Sequence, residues 1–205
     1  MAEKTEAKQE KKKPVKKAKS VDKWKKKLWY TIVAPPEFDR KIIGETVAEK
    51  PKNIIGRTIF VDLGQLSGQR QKRHISVLFK VEKVEGNNAS TIALGHEIGH
   101  GFLNRLVRRR MSKVETTQAI KTSDEKTVKV KSLALSVRKL SRKQEAAVRK
   151  KMVEIIEKGS EKKPFSQLSQ EMIFGVTASK LFKQLSKIAP LKRVEITKSR
   201  VLEIK

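Results

Sequence analysis

The sequence predicts an α+β protein: a small β-barrel of short strands with flanking C-terminal helices and a basic N-terminal tail that is disordered when free. Three observations carry this. Short apolar/polar alternations recur between residues 28 and 137, separated by Gly, Pro and Asn turn signals. Beyond residue 140 the apolar spacing becomes helical. Residues 1–27 hold twelve Lys, no Arg and little that can be buried.

In chain order, residues 28–34 read as a first strand, stopped by Pro35-Pro36, and Trp29 and Tyr30 are expected in the core or at the barrel edge. A polar stretch follows to Asn53, with helical character around residues 40–47. Ile59, Val61 and Leu63 alternate with polar or aromatic neighbours, as a strand buried on one face requires. Gly64, Gly68 and Arg70, Lys72, Arg73 make the next loop. Ile75, Val77, Phe79 and Val81 give the clearest strand, and Gly86-Asn87-Asn88 turns it back through residues 90–94. Residues 114–121 and 127–137 flank a turn at Thr122-Ser123-Asp124-Glu125. A change of apolar phase in the second of these strands predicts a β-bulge near Lys131-Ser132.

Ser141 followed by Gln144 has the form of a capping box. Val148, Met152 and Ile155 then recur at helical spacing, with Gly159 as the expected C-cap. A second helical region follows Pro164, divided or bent at Gly175 and stopped by Pro190. Val194, Ile196, Leu202 and Ile204 share a parity, as in a final strand. Residues 1–22 are therefore expected as a tail and 23–205 as one domain. Within it, 23–138 is mainly barrel and 139–205 is helices plus a strand.

Lys plus Arg number 49 against 22 Asp plus Glu, a formal net charge of +27. Such a charge attracts polyanions, and bound phosphates add affinity by releasing counterions. A membrane surface fits less well, because the cations run along the whole chain rather than along one amphipathic helix. The absence of Cys excludes disulfides, cysteine zinc ribbons and thiol chemistry. No apolar stretch reaches transmembrane length and the N-terminus lacks a signal-peptide apolar region, so a cytoplasmic protein is expected. No cofactor and no small-molecule substrate are expected.

His96-Glu97-Ile98-Gly99-His100 matches the H-E-x-x-H pattern of zinc metallopeptidases. That chemistry needs both imidazoles on one running helix and a third ligand. Here the preceding residues read as strand, Gly95 precedes His96, and Leu106 stands where an extended motif would place a third His. No catalytic or metal site is therefore expected, although a later Glu such as Glu145 or Glu154 is not excluded as a ligand by spacing. Leu103 to Arg110 reads instead as a short basic helix with its Arg residues outward.

The expected RNA contacts are clusters. Arg108-Arg109-Arg110, with Arg105, offers planar guanidinium groups to phosphate and bases. Arg138, Lys139, Arg142 and Lys143 straddle a strand-to-helix junction, followed by Arg149 and Lys150; Arg70, Lys72 and Arg73 form a third group. Trp24 lies among Lys25, Lys26 and Lys27, placed to stack on a base or ribose. The tail adds Lys11, Lys12, Lys13, Lys16, Lys17 and Lys19. Stacking aromatics are otherwise scarce, so phosphate and shape recognition of folded RNA is expected rather than sequence readout.

Several segments resemble one family, the archaeal and eukaryotic small-subunit ribosomal proteins called S-three-a-e or S-one-e, and are most similar to archaeal members. They are Lys25-Lys26-Lys27-Leu28-Trp29-Tyr30, Ile55-Gly56-Arg57-Thr58, and Gly95-His96-Glu97 leading to Leu106-Val107-Arg108-Arg109-Arg110. The run from Arg149 to Glu157 and the run Pro190-Leu191-Lys192-Arg193-Val194-Glu195-Ile196 follow in order. The resemblance implies a β-barrel core with flanking helices on the platform of the small subunit. The implied partners are the 3′ region of the small-subunit rRNA, neighbouring platform proteins, and mRNA at its exit. Relatives need not continue to a second His, and they often carry an Asp-Gly turn where this chain has residues 122–126. A free RNA chaperone remains the alternative, and a zinc metallopeptidase the less favoured one.

Overall fold

A computed structural model describes residues 24, 26–161 and 163–202 of the chain. The expected tail, with its lysines and Lys25, lies outside the described residues. Eight strands and five α-helices are described. The strands are β1 (Leu28–Val33), β2 (Ile42–Ala48), β3 (Thr58–Asp62), β4 (Ile75–Glu85), β5 (Asn88–Ile98), β6 (Lys113–Lys121), β7 (Thr127–Ser136) and β8 (Leu191–Val201). The helices are α1 (Leu63–Ser67), α2 (His100–Leu106), α3 (Arg142–Ser160), α4 (Phe165–Ile173) and α5 (Val176–Leu185).

The α+β class holds, but the sheet is not a closed barrel. Its strands run β2-β1-β5-β8-β7-β6, with β3 and β4 branching from β5. The branch exists because β5 is long. One of its edges pairs with β4 throughout; the other pairs with β1 at residues 88–90 and with β8 at residues 95–97. Among the described residues strands β2, β3 and β6 each pair on one side only, and closure would leave none of them single. The gap between β2 and the start of β3 is spanned by a side chain instead of a ladder. Arg57 donates to Thr46 Oγ1 at 2.6 Å and to the Val47 carbonyl at 3.2 Å. Ile43 and Ile59 pack from the two sides of that gap into the same two buried clusters.

Residues 40–47, read as partly helical, form strand instead. Ile42, Ile43, Thr46 and Val47 are β-branched, and the register Trp29↔Val47 to Val33↔Ile42 gives their backbone a partner that local propensity does not foresee. Leu63, read as the end of a strand, begins α1, and residues 64–73, read as a loop, contain the rest of that helix and a 3₁₀ turn at Arg70–Lys72. Tyr30 is buried as expected, but Trp29 is largely exposed. The β4 and β5 strands and the turn at Gly86 (φ 59°) form where they are expected, and β5 continues to Ile98.

The register between β7 and β8 does shift at Lys131/Ser132: Lys131 faces Lys198 while Ser132 faces Ile196. The extra residue is Thr197 on β8, because β7 pairs with β6 without interruption. Both faces of β7 become buried near Leu133 and Leu135, which produces the change of apolar pattern in its sequence. The true change of face is in β8, where Val194 and Ile196 are buried before the bulge and Ser199 and Val201 after it.

Helices α3, α4 and α5 cover one face of β6–β7–β8. Val148, Met152, Leu168, Leu181 and Leu185 pack with Val114, Val128, Val130 and Ile196. Burying each such side chain contributes roughly 1.5–3 kcal/mol. The capping box at Ser141 and Gln144 forms, and α3 runs through Gly159 to Ser160. Gly159 is thus not the C-cap: it sits in αR helix, and the cap is Glu161. Gly175 does divide α4 from α5, with φ 85° at the N-cap of α5. The N-terminus of α4 is capped from a distance, since Phe165 N–H donates to Asp124 in the β6–β7 turn at 2.8 Å. In that turn Glu125 takes φ 57°, a left-handed position that glycine would occupy without strain.

Candidate nucleic-acid interface

Ser112, buried between α2 and β6, joins two of the expected basic clusters. Its N–H donates to Ser136 Oγ at 2.8 Å, and its own Oγ accepts from Leu140 N–H at 3.0 Å. Ser136 N–H donates back to the Ser112 carbonyl at 3.1 Å, and Ser136 Oγ donates to the Arg138 carbonyl at 2.5 Å. These bonds hold the segment after α2 against the β7–α3 connection. Arg108, Arg109 and Arg110 are thereby brought beside Arg138 and Lys139, and all five are exposed. Val137 N–H donates to the Pro190 carbonyl at 3.0 Å, which adds the exposed Lys192 to the same end of the sheet.

The arrangement is costly without a counter-charge. The expected basic helix stops at Leu106; Arg108 to Arg110 follow it in extended and turn conformation, and Arg110 adopts φ 66°. A non-glycine residue held there stores on the order of 1 kcal/mol or more. Arg142 and Lys143 occupy the first turn of α3, where the helix dipole disfavours cations by about 0.3–1 kcal/mol each. A phosphate at this end offsets the second of these costs, because helix N-termini and guanidinium groups both favour anions. Arg149 and Lys150 lie seven residues beyond Arg142 and Lys143, so the same exposed stripe continues along α3 for about 10 Å.

The remaining expected residues lie elsewhere. Arg70, Lys72 and Arg73 are in the α1–β4 connection, where Lys72 Nζ sits 5.2 Å from the Phe174 ring. Of the three, Lys72 lines a cleft of about 400 Å³ that also holds His74, Phe102 and Arg193. There His74 stacks on Phe102 at 3.8 Å, and the Arg193 guanidinium lies 5.1 Å from the same ring. Helix α2 links this cleft at one end to Arg108–Arg110 at the other, and Arg105 is exposed on it. Lys26, Lys27 and Trp24 precede β1, with Lys27 Nζ 4.8 Å from the Trp24 ring. Sequence reading missed Lys192 and Arg193; their proximity to the cluster comes from the Pro190 contact, which has no local signal.

The zinc pattern lacks the helix it needs. His96 lies in β5 and His100 begins α2. His96 is buried, and a carbonyl only accepts, so Nε2 carries the proton donated to Ile196 O at 3.0 Å. Nδ1 then accepts from Ser199 Oγ at 2.7 Å, so both ring nitrogens are engaged within the fold. Among the described residues no group of three His, Asp or Glu side chains is placed to hold a metal.

Burial pushes His96 down to about 4 from its ordinary 6.5. Below pH 6.5 the unfolded chain takes up a proton that the folded chain refuses. Stability is therefore expected to fall as pH drops from about 6.5 to 4, by roughly 3 kcal/mol in total. Thermal melts across that window should show a shallower loss for His96→Gln than for the native chain, each referred to its own Tm at pH 7.5. Parallel slopes would remove His96 as the cause.

The fold and this surface define a class: an α+β protein with a preassembled cationic end suited to polyanions. The family is also shown. The model of the Ribosomal S3Ae family matches residues 15–205, and the chain belongs to that family. It is 38% identical to the small ribosomal subunit protein eS1 of Methanocaldococcus jannaschii, over 89% of this chain and 82% of that one. Identity is 37% to the protein of the same name from Methanococcus maripaludis (89% and 81% covered) and 36% to that from Methanobrevibacter smithii (88% and 94%). Its relatives are ribosomal proteins, not enzymes.

Proposed function

We propose that this chain is a structural constituent of the small ribosomal subunit in the cytoplasm. It binds rRNA on the platform, near the 3′ end of the small-subunit rRNA and the mRNA exit, beside other platform proteins. Membership of the Ribosomal S3Ae family carries this reading. The clustering of Arg108–Arg110 with Arg138, Lys139, Arg142 and Lys143 around the Ser112 joint supports a direct part in holding RNA. Guanidinium and ammonium groups on a rigid, hydrogen-bonded scaffold grip phosphates with little ordering cost, which suits a protein that fixes the shape of folded RNA.

The test is co-sedimentation. In moderate salt the chain is expected to track the small subunit at one copy each; a free RNA chaperone would spread into the soluble fractions. Residues 1–22, rich in Lys, are expected to add phosphate contacts on the subunit. Deleting them should leave the circular dichroism of the folded part unchanged and lower the salt at which the protein washes off. If the truncated chain survives salt washes like the full one, the tail has no part in binding.

A further inference from the structure

The helices cover only one face of β6–β7–β8. On the other face, consecutive rungs set cations directly opposite one another. Lys129 pairs with Arg200, and Lys131 pairs with Lys198. Like charges at opposed positions destabilise a sheet. The outer neighbours are small on one rung, Ala119 and Gly95, and on the other are Thr117 and Glu97. A shallow concavity of about 560 Å³ results, walled by Thr117, Lys129, Lys131, Lys198, Arg200 and Leu202. Two carboxylates offset part of the charge. Glu97 holds Lys198 at 2.8 Å, and Glu115, shared with Lys113, lies 3.4 Å from Lys131. Among the described residues Lys129 and Arg200 have no acidic partner within 4.0 Å.

We propose that this open sheet face is a second phosphate-binding surface, one that takes the sugar–phosphate backbone of an RNA strand or helix. The proposal rests on the rRNA-binding reading above and gives it a site distinct from the Ser112 joint. Three features select a polyphosphate chain. The four cations span two strands about 4.8 Å apart and two rungs about 6.7 Å apart, so they meet a line of charges rather than one anion. None of the wall residues is aromatic, so bases have nothing to stack on and the contact is to backbone. The sheet is rigid, its reverse side being packed against three helices, so the array is preorganised. Within each strand these cations alternate with buried residues, and in sequence they look like any solvated strand face.

The test uses the full chain and a transcript of an archaeal small-subunit rRNA, with binding measured from about 50 to 300 mM KCl. A variant carrying Lys129→Gln, Lys131→Gln, Lys198→Gln and Arg200→Gln is compared with the native chain. Loss of three to four phosphate contacts should lower the slope of log K against log salt by about 2–4 and weaken binding about 10- to 1,000-fold at 100 mM salt. The variant should also melt about 1–3 °C higher at low salt, since the opposed cations no longer repel. A merely structural role would lower the melting point instead. If the native chain binds with a steep slope and the variant matches it, the sheet face is not an RNA site while the functional reading stands. If the native chain does not bind the transcript, both fall. If the variant loses binding to poly-glutamate but keeps its RNA isotherm, the occupant is an acidic protein segment and the proposal is overturned.

Discussion

Gly95→Ala is expected to destabilise the chain by about 3 kcal/mol or more, a large share of the roughly 5–15 kcal/mol that holds a domain together. A Cβ built on Gly95 overlaps the Ser199 carbonyl oxygen, and comes within 2.7 Å of the Ser199 carbonyl carbon and 3.1 Å of Arg200 Cα. These are backbone atoms of β8, which cannot rotate away as a side chain would. Gly95 also has φ 154°, a value L-residues rarely adopt. The damage falls at a critical place, because the rungs Gly95↔Arg200, His96↔Ser199 and Glu97↔Lys198 are the only ladder joining the β1–β5 part of the sheet to β6–β8 among the described residues. Gly99→Ala is the control: its Cβ meets only the His74 carbonyl at 3.6 Å, an ordinary contact. Urea unfolding of the two variants decides the matter. A Gly95→Ala midpoint equal to that of Gly99→Ala would show that β5 and β8 are not packed this closely.

Replacing Arg108, Arg109 and Arg110 together by Ala is expected to weaken rRNA binding by one to three orders of magnitude and lower the salt slope by about 2–3. Stability should change little or rise. These side chains are exposed, none forms an ion pair among the described residues, and Arg110 sits in a left-handed conformation that costs Ala no more than Arg. Loss of affinity without loss of stability distinguishes a binding surface from a structural one. Filter binding to an rRNA transcript, beside a melt of the same variant, reads both. An unchanged slope would take this cluster out of the interface.

The elements legible in the sequence were those with a strong local signal. The β4–β5 hairpin follows from alternation around Gly86, the start of α3 from Ser141 and Gln144, and the α4–α5 break from Gly175. What escaped depends on distant partners. β2 forms because β1 lies beside it, and Phe165 is capped by Asp124, forty-one positions earlier. The open barrel follows from how β5 divides one edge between β1 and β8, which no stretch of sequence records. The bulge was readable in position but not in strand, because burial of Leu133 and Leu135 on the second face of β7 mimics a change of phase. The basic clusters were visible as runs. Their union through Ser112 was not, since a lone Ser carries no sign that it joins two loops.

A side-chain-resolution map of the small subunit containing this chain tests the central claim most directly. The account predicts rRNA phosphate oxygens about 2.7–2.9 Å from guanidinium or ammonium nitrogens of Arg108–Arg110, Arg138, Lys139, Arg142 or Lys143, with the Ser112 bonds intact. A map in which these side chains face solvent, or in which the chain holds to the subunit only through other proteins, would contradict it.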